Sequence, residues 1–222
     1  MSLWDSIYSS DDSYFGNEPS FLARESLNFF KKYQCKSILE FGCGQGRDTL
    51  LFASNGMKVH SIDSSVTAVE QLIQNIKKLG LEGRVKVSRL DLAKDLPSLE
   101  ANEVMDTVYS NLFYRMPFND QELQRLFDFV RNVLPVGGLH IFSIRNKNTD
   151  RSFGKGKKIA KDTFVINGFK VRFFTQEEIL RFNRGFKTLR TMEAYEEPCS
   201  LILAFTVKIR DFQNDKLSTT IN

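Results

Sequence analysis

The chain has 222 residues, 41% of them hydrophobic and 26% charged, with a net charge of +4. This composition suits one globular domain with a full core and excludes a fibrous or disordered chain. Three cysteines, at 35, 43 and 199, lack paired spacing, which excludes a disulfide framework or a four-cysteine zinc site and points to a reducing compartment. The longest apolar run, Leu201 to Phe205, is far below the roughly 18 residues that span a bilayer. Asp5, Asp11, Asp12 and Glu18 near the start leave no room for a secretion signal. A soluble, cytoplasmic protein with no membrane partner is expected, as a monomer or homodimer.

The spacing of Leu22, Phe29, Phe30 and Tyr33, with Pro19 in the first turn, predicts a helix from Glu18 to Lys32. Ser37 to Phe41 reads as a strand ending in glycines 42, 44 and 46, then a helix that Gly56 closes. A second strand, Lys58 to Asp63, precedes a helix from Ser65 to Leu79 with a serine cap, an apolar face from Val66 to Leu79, and Gly80 past its end. Strands follow at Val85 to Asp91 and Val104 to Ser110, the latter apolar enough to be buried on both faces. Asn119 with Glu122 caps the next helix, Leu139 to Ile144 is a fifth strand, and Thr175 with Glu178 caps a short helix at 176–183. Phe186 to Ala194 and Leu201 to Ile209 have no helix between them and predict a closing hairpin. The alternation of strands and helices implies a parallel sheet with helices on both faces and right-handed crossovers.

Between the fifth strand and the short helix, residues 145–172 carry nine lysines and arginines against Asp150 and Asp162. This stretch is long for a connection and reads either as a solvated basic loop or as a basic lid insertion hinged at Gly154 and Gly156. The lid and the N-terminal 1–35, itself a lid and helix, belong to one domain of residues 1–210, and 211–222 is a polar tail.

The chemistry concentrates at the glycine turn. Glycines let the backbone approach a ligand, the following helix offers unpaired N–H groups, and Asp63 at the next strand end can accept both hydroxyls of a ribose. A dinucleotide fingerprint would need a small residue where Arg47 stands. The G-x-G-x-G spacing, with Glu40 before the first glycine, instead resembles motif I of the class I S-adenosylmethionine (SAM) methyltransferases. That resemblance covers about residues 36–145. It implies an α/β Rossmann-like, seven-stranded, mostly parallel sheet in the order 3-2-1-4-5-7-6, with the last strand antiparallel. It also implies SAM as cofactor, bound by Glu40, Gly42, Cys43, Gly44, Gly46, Asp63, Ser64, Asp91, Leu92, Ser110 and Asn111, with no metal. Cys43, between two glycines, fills a small apolar space rather than acting as a nucleophile.

Asp12-Ser-Tyr-Phe-Gly-Asn-Glu-Pro19 resembles, more loosely, the tellurite-resistance and thiopurine methyltransferase-like branch. This implies that Tyr14 and Phe15 fold over the cofactor. Tyr14, Tyr114 and Arg115 are then acceptor-pocket candidates, while His60 and His140 lie within strand patterns and leave no evident general base. Ser110-Asn-Leu-Phe113 departs from the N/D-P-P-Y/F of amine methyltransferases that act on bases or glutamine. The expected acceptor is a small molecule with a soft or anionic nucleophile, a thiol or metalloid species. Alternatives are an RNA methyltransferase that uses the basic segment, a non-catalytic SAM- or nucleic-acid-binding module, and a nicotinamide oxidoreductase.

Overall fold

A computed structural model describes residues 2–100 and 103–210; the expected polar tail lies outside the described residues. Five strands run parallel in its centre: β1 (Ser37–Phe41), β2 (Lys58–Asp63), β3 (Val85–Arg89), β4 (Thr107–Ser110) and β5 (Leu139–Asn146). β4 and β5 are buried along their whole length. Alternate side chains serve opposite faces. Ile38, Leu139 and Ile141 join the core under α2 (Phe21–Lys32) and α3 (Arg47–Ser54). Leu39, Phe41, Phe142 and Ile144 join the core under α5 (Asp120–Val133). α4 (Val66–Lys78) packs along β2 and β3 through Leu72 and Ile76.

The expected caps form. Ser65 accepts from the Ala68 amide, and Asn119 with Glu122 and Thr175 with Glu178 make reciprocal capping boxes at α5 and α6 (Gln176–Leu180). α2 starts three residues later than the apolar pattern suggested, because Ser20 rather than Glu18 provides the cap. One helix was not foreseen: α1 (Leu3–Ser10), closed by a Ser2–Asp5 capping box.

Among the described residues there are ten strands rather than seven. The closing hairpin is β9 (Phe186–Glu196) with β10 (Cys199–Lys208); β10 runs antiparallel to both β5 and β9. The main sheet therefore runs β3-β2-β1-β4-β5-β10-β9, the expected order with the last strand inserted beside the fifth.

The other three strands come from the segment read as a basic loop, and this corrects that reading. β6 (Lys157–Ala160), β7 (Thr163–Ile166) and β8 (Phe169–Phe174) form an antiparallel ribbon whose last strand joins β5 at Arg145 and Asn146, beyond the end of β4. Phe153, Phe164, Val171 and Phe173 give the ribbon its own apolar cluster, and Asn167-Gly168, both at positive φ, form its tight turn. Much of its charge is engaged: Arg145 pairs with Asp150, Lys147 with Asp162, and Arg172 with Asp120. Arg151, Lys155, Lys157, Lys158, Lys161 and Lys170 remain exposed.

Candidate active site

The glycine turn sits at the C-terminal ends of β1 and β2, where the strand order reverses. Gly46, at φ 89°, starts α3, and a Cβ there would lie 2.2 Å from Leu72 of α4, so this glycine serves helix packing as well as the turn. A Cβ on Gly44 would meet the Tyr8 hydroxyl at 3.0 Å.

Asp63 closes the turn from the other side. One carboxylate oxygen accepts the Gly44 amide and the other the Ser65 amide, each at 2.9 Å, so the acid joins the glycine turn to the start of α4. Burial raises its pKa, and these amide donors oppose the rise. Each oxygen keeps a lone pair for a ligand hydroxyl.

Glu40 lies beneath the turn, where its carboxylate accepts from the hydroxyls of Thr49 and Ser61. Burial, followed by the nearby Asp48 charge, raises its pKa to about 8. Asp48 in turn accepts from the Ser20 amide and hydroxyl and from the Tyr109 hydroxyl, each at 2.7 Å, and so ties the start of α2 to α3 and β4.

Three adjoining cavities surround this framework. A cleft of about 350 Å³ is lined by Gly42, Asp63, Ser64, Asp91, Leu92 and Asn111. A smaller space of about 60 Å³ is lined by Glu40, Cys43, Gly44, Gly46 and Arg47. Phe15 and Leu112 border both and also border a larger cavity of about 950 Å³. Arg115 lines the cleft and the large cavity, and Tyr14 lines the large cavity.

Two expected residues fall elsewhere. Tyr114 is fully buried between Phe127 and Phe142 with its hydroxyl 3.1 Å from His140, so it belongs to the core and not to the acceptor wall. Ser110 is also fully buried and lines none of the three cavities. The histidines are structural: burial lowers the pKa of His140 to about 4, and His60 is held between Ser88 and Glu103. The six exposed cations of the ribbon do not line the large cavity; Ser152, Ile166, Asn167, Phe169 and Val171 are its contribution.

Residues outside the expected set complete the walls. Trp4 and Tyr8 of α1 line the cleft. α1 is held there by Asp5, which accepts the Ser65 hydroxyl at 2.7 Å, and by Gln71, which donates to the Tyr8 carbonyl at 2.9 Å. Gln45 and Arg47, within and beside the glycine turn, donate to the carbonyls of Asp11 and Phe15, so residues 2–16 form a strap across the turn. Trp4 meets Phe169 of the ribbon with ring centroids 5.4 Å apart.

Leu112 adopts φ 57°, unusual for a branched side chain, and is held there by donation from its amide to the Ser143 hydroxyl at 2.8 Å. Ser143 donates in turn to Asn111. Among the described residues no group of histidine, cysteine and acidic side chains could hold a metal, and no helix is long and apolar enough to cross a membrane.

Residues 38–138 match the family model of a methyltransferase domain. Trimethylguanosine synthase of Saccharomyces cerevisiae is 25% identical over 136 residues, which are 60% of this chain and 42% of that protein; the chain thus spans less than half of that relative. Among solved structures, a SAM-dependent methyltransferase from Methanosarcina mazei superposes with a TM-score of 0.70 at 18% identity, covering 82% of this chain and 98% of the other. TehB from Haemophilus influenzae gives 0.61 at 16% identity, covering 83% and 61%. Residues 38–138 are thus similar to a methyltransferase domain, and the reversed strand order with the glycine turn facing Asp63 gives the chain the fold seen in SAM-dependent methyltransferases.

Proposed function

We propose that the enzyme methylates a small molecule bearing a soft or anionic nucleophile, such as a thiol or metalloid species, in the 950 Å³ cavity. The observation that carries this reading is the shared wall of Phe15, Leu112 and Arg115, which sets the large cavity directly against the cofactor cleft. The adenosine end of SAM would lie between Asp63 and Asp91, and its methionine end in the small space beside Glu40 and Gly44. A sulfonium carries its own activated methyl group. The acceptor lone pair forms the new bond to the methyl carbon while the carbon–sulfur pair returns to sulfur, leaving S-adenosylhomocysteine. A thiolate needs no proton removed, in keeping with a cavity that no histidine lines. The residues' task is alignment and exclusion of water, and orientation alone can supply about 7–11 kcal/mol of barrier reduction.

A second reading rests on the similarity to trimethylguanosine synthase and on the six exposed cations of the ribbon, which suit an RNA acceptor. One assay separates the two. S-adenosylhomocysteine release is measured with thiols, metalloid oxyanions, catechols, small amines and structured RNA. Turnover with a thiol or metalloid is expected, and turnover with RNA alone would overturn the small-molecule reading.

A further inference from the structure

Of the four arginines lining the large cavity Arg24 is exposed, and the other three differ in one respect. Arg145 pairs with Asp150 at 2.8 Å and Arg47 with Glu196 at 3.2 Å. Arg115, only 8% exposed, has no carboxylate within ion-pair distance among the described residues. Its Nε donates to the Leu112 carbonyl at 3.1 Å, and its guanidinium lies 5.6 Å from the centre of the Trp4 ring. No protein acceptor meets its two terminal nitrogens among the described residues. Buried guanidinium groups ordinarily have an anionic partner, because removing an unpaired charge from water is costly.

The local backbone is arranged around this group. The Ser143 hydroxyl holds Leu112 at positive φ, the Leu112 carbonyl fixes Arg115 Nε, and the Arg115 carbonyl accepts the Arg172 amide at 2.8 Å, which anchors it to β8. The carbonyl of Leu112, which could have received an amine donor, is thus occupied by the arginine, and the wall presents N–H donors instead.

We propose that Arg115 is a specificity-determining residue that receives a carboxylate of the methyl acceptor at the junction of the cofactor cleft and the large cavity. The proposal rests on the methyltransferase reading of that cavity. A planar guanidinium with two free terminal nitrogens matches a carboxylate in bidentate geometry. One unpaired cation balances one negative charge, whereas a phosphate dianion would leave an excess charge in a wall made by Trp4, Phe15, Leu112 and Phe169. Those side chains suit a flat or apolar acceptor body. Arg115 does not line the small space assigned to the methionine end of SAM, so the cofactor's own carboxylate is not its partner.

The test uses benzoate and its neutral isostere benzamide, with inorganic phosphate as a third probe, on the full chain saturated with S-adenosylhomocysteine. Trp4 is the only tryptophan and borders Arg115, so its fluorescence reports occupancy. Benzoate is expected to bind the wild type at least about tenfold more tightly than benzamide. Arg115→Met should erase that preference and Arg115→Lys retain part of it, each measured at saturating S-adenosylhomocysteine. Equal binding of benzoate and benzamide, no benzoate binding, tighter phosphate binding, or a preference that survives in Arg115→Met would each overturn the proposal. These readings do not depend on turnover, so they stand apart from the acceptor assay.

Discussion

Replacing Glu40 by Gln keeps the shape of the side chain and its acceptor for the Thr49 and Ser61 hydroxyls, while removing the ability to ionise. The folded pKa is raised to about 8 from 4.5. A carboxyl raised in this way contributes stability that is fully present below pH 4.5 and is lost as pH rises through 8. At pH 7 the unfolded chain holds the group ionised while the folded one holds it mostly protonated. The penalty against a permanently neutral side chain is then about 3 kcal/mol, from 1.36 kcal/mol per unit over about 2.5 units. The same reasoning gives about 1 kcal/mol at pH 5 and about 5 kcal/mol at pH 9. Urea unfolding of both proteins without cofactor, at these three pH values, should show Glu40→Gln more stable by a margin that widens with pH. Because Glu40 is mostly protonated at pH 7, Glu40→Gln should leave cofactor affinity there nearly unchanged in calorimetry. A stability margin that stays flat with pH, or a variant less stable than wild type at pH 7, would refute the reasoning.

Asp63→Ala should weaken SAM roughly ten- to hundredfold in calorimetry and also lower stability by about 1.5–3 kcal/mol, because the Gly44 and Ser65 amides lose a charged acceptor; unchanged SAM affinity would place the ribose elsewhere. Gly156→Ala should loosen the ribbon, since Gly156 sits at φ 81° and a Cβ would lie 2.1 Å from the Val165 carbonyl oxygen. Faster tryptic cleavage beside Lys155 and Lys157 is expected, with a local cost above about 1 kcal/mol and SAM affinity retained; a wild-type cleavage rate would show that the turn tolerates the change.

What the sequence disclosed was mostly local. The serine cap at 65, the Asn119–Glu122 box and the glycine turn each depend on residues a few positions apart, and all three form as written. The acids Asp63, Asp91 and Glu40 reach the cavities because strand ends fix their positions. Beyond β4 this regularity stops. Leu112 reverses the chain at positive φ, so neither strand nor helix periodicity distinguishes Tyr114, which turns into the core, from Arg115, which turns to the cavity. α1 spans only two turns, too short for an apolar period to stand out, although the Ser2-x-x-Asp5 spacing announced its cap. The ribbon had a readable mark in Asn167-Gly168 between apolar residues, but the density of lysines around it suggested a solvated loop.

The position of β10 has a consequence for the order in which the protein can be made. Among the strands it is the last to be synthesised, yet it pairs with β5 from Leu201 to Val207 and separates that strand from β9. Until those residues leave the ribosome, a nascent chain carries one unpaired edge of β5, a strand buried along its full length in the finished fold. Such an edge is a template for wrong pairing. Chains ending before residue 199 should therefore accumulate as aggregates rather than as a smaller domain, and the closing step of folding belongs to the C-terminal hairpin.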